Sequence, residues 1–305
     1  NRGLPRSYHF PYGGDALKWD SRLTKEQRAG RYLTDRLTDE AVTLIREQQD
    51  NLFFLYFAFY SVHAPIQGRP DLVQKFKQQP RGAHHHNPEY AAMVHSVDTA
   101  VGRVRAQLEQ SGIADRTLIV FTSDNGGVCR KASSNLPLRG EKGQHWEGGT
   151  RVPAIVLWPG VTRPGTVCQT PTITMDFYPT ILEITGVQGN TAHNQNVDGI
   201  SLVPVLKNPQ AALNRDALYW HYPHYNVFIG VPYSAVRVGD HKLIHYYEDG
   251  RNELYNLTED LGETRDLSAE QPELTSRLNQ RLQAHLKQVG AQMPVPNPTF
   301  KASKQ

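Results

Sequence analysis

The sequence predicts an α/β protein: a mainly parallel sheet flanked by helices, followed by a smaller C-terminal antiparallel sheet and helix. Three observations carry this. Between residues 32 and 121, strand-like apolar runs alternate with helical patterns, the order that builds a parallel sheet with crossover helices. After residue 212 the pattern changes to short apolar runs separated by the turn signals Gly239-Asp240 and Asp249-Gly250. Leu274, Leu278, Leu282 and Leu286 then recur four apart, as one stripe of an amphipathic helix does.

Residues 1–30 are polar, with scattered Pro and Gly, and predict loop. Over 32–49, Leu33, Leu37, Ala41, Leu44 and Ile45 fall at helical spacing. A strand is expected over 52–59, then a polar loop over 66–88 that contains His84, His85 and His86. Met93, Val94, Val97, Val101, Val104 and Leu108 mark one face of a helix over 90–110, which Gly112 ends. The β-branched run 117–121 predicts a buried strand, and 154–158 another. A helix is expected over 175–184, stopped by Gly186, then a polar loop over 187–200 and a short apolar segment over 201–206. Four short strands follow, at 217–222, 234–238, 242–247 and 253–257, with the leucine-striped helix over 272–289 lying on them. The Pro-rich tail from Met293 predicts extended chain. These elements divide the chain into a larger part, 1–212, and a smaller one, 213–305.

The 305 residues carry a net charge of only +3, with no clustered basic face, so nucleic acid is not an expected partner. The longest apolar run, 52–60, has the length of a strand and not of a membrane span. Cys129 and Cys168 lack metal-site spacing; they are either two thiols or one disulfide.

In parallel sheets the working site lies beyond the carboxyl ends of the strands, and His63 and Asp124 both follow such ends. Asp124-Asn125-Gly126-Gly127 is either a polar turn or an acid and an amide turned onto a hard cation, which takes about six to eight oxygen ligands. The loop from Leu138 to Pro153 holds two arginines, a lysine and several glycines, a composition suited to a closely approached anion.

Taken together, Phe121-Thr-Ser-Asp-Asn-Gly-Gly127, Gly140-Glu-Lys-Gly143 and Glu147-Gly-Gly-Thr-Arg-Val-Pro153 resemble the signatures of the type I sulfatases. These are calcium-dependent, formylglycine-using enzymes of the alkaline phosphatase superfamily. The resemblance runs from about Tyr32 to Val289 and includes Asp198-Gly-Ile-Ser-Leu202 and Leu254-Tyr-Asn-Leu257. It implies an alkaline phosphatase-like fold and a sulfuric ester hydrolase acting on a sulfated carbohydrate or an aryl sulfate. Asp124 and Asn125 match two ligands of the family's Ca2+. Lys142 matches the lysine that touches the sulfate, and His63 the histidine that binds sulfate or helps protonate the leaving group. Arg139 and Arg151 are expected to brace the loop through carboxylates such as Glu141 or Glu147. His145 and Trp146 either line the substrate pocket or pack as aromatics. His84 to His86 are expected to be solvated, and Asn256-Leu-Thr258 is a glycosylation sequon by pattern. The resemblance also implies an extracytoplasmic location.

The family's nucleophile is made from the Cys or Ser of a Cys/Ser-x-Pro-x-Arg motif, and this chain has none. Asn135-Leu-Pro-Leu-Arg139 has Pro and Arg in register, with Asn135 in the nucleophile's place. The formylglycine and the remaining metal ligands, an Asp pair, are therefore expected upstream of Asn1. This chain is expected to be the C-terminal portion of a longer sulfatase, inactive alone, with an unpaired sheet edge. Alternatives are a phosphodiesterase or phosphonate hydrolase of the same superfamily, or a non-catalytic anion-binding relative.

Overall fold

A computed structural model describes residues 5–10, 12, 31–129, 132–225, 230–295 and 297–298. The expected N-terminal loop and C-terminal tail fall largely outside these residues. The chain forms two compact units. One comprises Asn1–Val120, Val128–Ser134 and Leu157–Gly160; the other comprises Phe121–Gly127, Asn135–Val156 and Val161–Gln305.

In the first unit, α1 (Leu33–Glu47), α2 (Pro70–Lys77) and α3 (Pro88–Gln110) follow one another, and both α1 and α2 pack on α3. Asn87 caps α3, its side-chain oxygen accepting from the Glu89 and Tyr90 amides at 3.0 and 3.1 Å. The buried face of α3 is Ala92, Met93, Ser96, Ala100 and Leu108. Val94, expected inside, is exposed; the packed face runs through Ala92, Met93, Ser96 and Ala100 instead. α2 lies within the expected 66–88 loop; it was hidden because only Val73 among its residues is buried.

The stretch 52–59 is not a hydrogen-bonded strand. Among the described residues its backbone has no partner, which is why the expected strand is absent. Its alternation is nevertheless real. Phe53 and Leu55 pack against Ile45, Leu108 and Ile113, while Leu52, Phe54 and Tyr56 are 98%, 74% and 82% exposed.

β1 (Ile119–Thr122) and β2 (Ala154–Leu157) pair in a two-stranded sheet, with the one-turn helix α4 (Glu147–Thr150) between them in the chain. β1 was expected to be buried, but its residues are half-buried or exposed, as a two-stranded sheet leaves them.

In the second unit, Asp176 organises the segment after β2. It is fully buried and bound by Arg215 at 2.7 and 2.9 Å, and by the Ile173 and Ile200 amides. α5 (Phe177–Thr185) ends at Gly186, whose φ of 68° is the left-handed cap that glycine takes most easily. α6 (Thr191–Asn194) and α7 (Val203–Lys207) add short turns where loop and an apolar segment were expected.

β3 (Leu218–Tyr222), β4 (Tyr233–Val238), β5 (His241–Tyr246) and β6 (Asn252–Asn256) form an antiparallel sheet in sequential order. Against one face lies α8 (Pro272–Gln288), whose Leu278, Leu282 and Leu286 meet Val236, Leu243 and Leu254. Deleting one such buried leucine side chain costs about 2–5 kcal/mol. The other face is an aromatic layer of Tyr233, Tyr246 and Tyr255 around Ile244, and Trp146 packs against it. Trp146 thus docks the 138–153 loop onto this sheet. Cys129 and Cys168 are not joined in a disulfide.

Candidate functional site

In the second unit β1 runs out into Asp124-Asn125-Gly126-Gly127, and three contacts bring the 138–153 loop back to it. The Gly126 amide donates to the Gly149 carbonyl at 3.1 Å. The Lys142 amide donates to the Gly127 carbonyl at 3.2 Å. Asn135 donates through Nδ2 to the carbonyls of Gly127, Gly140 and Gly148, at 3.0, 3.1 and 2.9 Å. A Cβ on Gly126 would fall on the Gly148 carbonyl, and one on Gly148 would fall on the Arg139 and Gly140 carbonyls. Glycine is required here because backbone meets backbone.

Asp124 is exposed, and its carboxylate meets no other described side chain or amide. Asn125 donates through Nδ2 to the Gly126 carbonyl at 2.9 Å, which leaves Oδ1 uncommitted. The Lys142 ammonium is half-exposed, with no acid beside it among the described residues. A carboxylate, an amide oxygen and an ammonium, none of them in an ion pair among the described residues, are thus held on one welded pair of loops.

His63 lies in the first unit. Its Nδ1 is 2.9 Å from the Ala64 carbonyl, which can only accept, so Nδ1 carries the hydrogen and Nε2 faces outward. The loop is fixed from below: the fully buried Tyr8 donates its hydroxyl to the carbonyls of Tyr60 and His63, at 2.6 and 3.0 Å.

The basic loop is bolted down through Glu147 by two charges outside it, Lys242 and Glu263. Lys242 on β5 is 1% exposed and meets Glu147 and Glu263, each at 3.0 Å. Glu263 also accepts the Glu147 amide at 2.6 Å. Burial pushes the Glu263 carboxyl up, and the Lys242 charge opposes this. Arg139 braces as expected, but not through Glu141 or Glu147. It donates to the Glu263 carbonyl at 2.7 Å and the Tyr255 hydroxyl at 3.2 Å, and stacks 3.9 Å from the Trp146 ring centre. Arg151 lies 3.8 Å from Glu147. The signal for Lys242 was available: Ile244 and Tyr246 share its side of β5, so that side is interior.

His145 is a packed aromatic, buried among Trp146, Tyr233 and Tyr246. The Tyr246 hydroxyl donates to Glu253 at 2.7 Å and so accepts from His145 Nε2 at 2.7 Å. Burial, with the charges of Lys242, Arg139 and Arg251, pushes the imidazole down to about 3. Its folded value lies below the unfolded value of about 6.5, so its stabilisation is complete above pH 6.5 and is lost as pH falls towards 3. Urea titrations are expected to show about 2 kcal/mol lost from this group between pH 6.5 and 5, and His145→Gln to flatten that slope. His84 to His86 are exposed, as expected. Asn256 caps a turn, its oxygen accepting from the Thr258 amide at 3.1 Å.

A cavity of about 530 Å3 in the first unit is lined by Arg31, Arg69 and Arg103, but each guanidinium there is paired with an aspartate. Among the described residues, no three acids, histidines or cysteines converge as a metal cluster.

The family model described as Sulfatase matches residues 1–187. This chain belongs to the sulfatase family. A second, described as N-sulphoglucosamine sulphohydrolase, C-terminal, matches residues 141–292. A sulfatase of Formosa agariphila is 39% identical over 279 residues, covering 84% of this chain and 50% of that protein. Steryl-sulfatase of Rattus norvegicus is 35% identical over 207 residues, covering 65% of this chain and 34% of that enzyme. The crystal structure of Ps i-CgsB in complex with k-i-k-neocarrahexaose matches with a TM-score of 0.72 at 29% identity, covering 85% of this chain and 55% of that one. This sulfatase chain therefore spans about half the length of the Formosa relative and a third of the rat enzyme. Its fold is the alkaline phosphatase-like fold of its family, and its relatives favour a sulfatase over a phosphodiesterase or phosphonate hydrolase. Among the described residues, no helix is long and apolar enough to cross a membrane.

Proposed function

We propose that this chain supplies the cation-binding and sulfate-binding side of a sulfuric ester hydrolase acting on a sulfated carbohydrate or an aryl sulfate. The observation that carries the reading is the welded loop pair, which carries the uncommitted oxygens of Asp124 and Asn125 on one loop and, on the other, a lysine with no acid partner among the described residues. The oligosaccharide in the Ps i-CgsB structure and the name of the steryl-sulfatase relative support the two substrate classes. Residues 1–212 then form the C-terminal part of the large α/β domain, and 213–305 a small C-terminal domain. An extracytoplasmic location goes with this reading.

The donor set fits calcium: Asp124 and Asn125 offer oxygen only, two of the six to eight ligands such an ion takes. Bound there, Ca2+ would neutralise charge on the sulfate oxygens. Lys142 would hold a non-bridging oxygen of the ester, as an unpaired ammonium on a rigid turn does best. His63, with Nδ1 committed to the Ala64 carbonyl, would bind sulfate or give a proton from Nε2 to the leaving oxygen. The nucleophile, a formylglycine, is expected outside this chain.

An aryl sulfate assay tests the reading. The intact enzyme should need calcium, and Asp124→Ala should raise the calcium concentration that gives half its activity. The present chain alone should hydrolyse no aryl sulfate. Calcium-independent turnover by the intact enzyme would sink the metal assignment, and enzyme-like turnover by this chain alone would sink that of the nucleophile.

A further inference from the structure

We infer that Asn135 is a positioning residue, the clasp that sets the cation ligands and the sulfate-binding lysine at their working separation. The inference rests on the roles given above to Asp124, Asn125 and Lys142. Asn135 occupies the place where a Cys/Ser-x-Pro-x-Arg motif would carry its nucleophile, but its amide does structural work.

Three chain segments must be held together for these residues to act on one ester: the end of β1, the Gly140-to-Gly143 turn and the start of α4. Each turns a carbonyl toward one point. The Asn135 Nδ2 sits there, donating to Gly127, Gly140 and Gly148. Its Oδ1 accepts the Gly127 amide at 3.3 Å, so both halves of the side-chain amide are engaged. The Gly127 carbonyl takes a further bond from the Lys142 amide, which links the clasp to the lysine through a single peptide group. Asp124 and Asn125 lie three and two residues before Gly127. A shift of Gly127 therefore changes the distance between the oxygens that would hold calcium and the ammonium that would hold sulfate.

Asparagine suits the position by elimination. An aspartate there would keep the acceptor and lose the donors, and would set a carboxylate against three carbonyl oxygens. Alanine would leave the converging carbonyls without their common partner. No residue lacking a planar amide both donates and accepts in this way on so short a stem.

The test uses the intact enzyme with Asn135→Ala and Asn135→Asp. A misplacement of about 1 Å at a catalytic group is worth about a hundredfold in rate. We expect kcat on an aryl sulfate to fall by about 10- to 100-fold, with a smaller change in KM and a higher half-saturating calcium concentration. Asn135→Asp should be at least as impaired as Asn135→Ala. Leu282→Ala, in the α8 core far along the chain from the loops, should lower the melting temperature yet keep kcat and the calcium requirement.

If Asn135→Ala keeps kcat and calcium dependence within twofold of Leu282→Ala, the clasp is only structural and the inference fails. If Asp124→Ala leaves calcium dependence unchanged, it is the metal reading that fails. Should the Asn135 variants not fold, amide exchange in the unaltered protein decides. Protected Gly127 and Lys142 amides are expected, and exchange at the rate of open loop would overturn the clasp.

Discussion

Lys242→Met is expected to destabilise the protein by about 3–5 kcal/mol, the cost of leaving buried carboxylates without their cation. Methionine fills much of the same space, so the loss reports charge and not a cavity. The lysine is buried between Glu147 and Glu263 at 3.0 Å from each; among the described residues Arg151 and Arg237 come no closer than 3.8 and 3.9 Å to Glu147, and Glu263 has no other cation in an ion pair. The loss should depend on pH in a stated direction. Burial already raises the Glu263 carboxyl, and removing Lys242 removes the charge that opposes the rise. A carboxyl whose folded value exceeds its unfolded value gains stability as pH falls through the folded value. Chemical denaturation should therefore show the variant recovering relative to the native sequence as the solution is acidified towards the usual glutamate range. A loss that is the same at every pH would mean that the triad is not the origin of the effect.

Lys142→Ala is expected to slow hydrolysis of an aryl sulfate by about two orders of magnitude in the intact enzyme, with little change in melting temperature. At about 4 Å from an anion, in surroundings of effective dielectric near 20, a lysine contributes roughly 4 kcal/mol before desolvation. Retaining a third of that through neighbouring groups still leaves about a hundredfold in rate. Stability should hold because the Lys142 side chain is half-exposed and makes no ion pair among the described residues. Its backbone bond to Gly127 survives the substitution. Steady-state kinetics with matched thermal melts check both halves, and a large drop in melting temperature would recast Lys142 as a structural residue.

The two replacements separate what was legible in the sequence from what was not. The glycines beside Lys142, Asp124 and Asn125 marked backbone contact in the linear chain, and the two loops do meet there; the roles of the three side chains came from the resemblance. The burial of Lys242 could be read from Ile244 and Tyr246 on its side of β5, but its partners could not, because they stand 95 residues before it in the chain (Glu147) and 21 after it (Glu263). Asn135 was visible only as a misfit to another motif; its three acceptors come together only when the loop folds. The C-terminal sheet and α8 were read nearly to the residue, since alternation and a leucine stripe are local signals. α2 was missed because a helix with one buried residue carries no stripe. The stretch 52–59 shows the opposite limit. Its apolar run has the length of a strand, but a strand is a relation between two chain segments, and composition reports only one of them.

That stretch has a practical consequence. Leu52, Phe54 and Tyr56 point into water beside a backbone with no ladder to join among the described residues. Such an edge is adhesive. Handled by itself, the polypeptide offers any extended peptide a template for pairing.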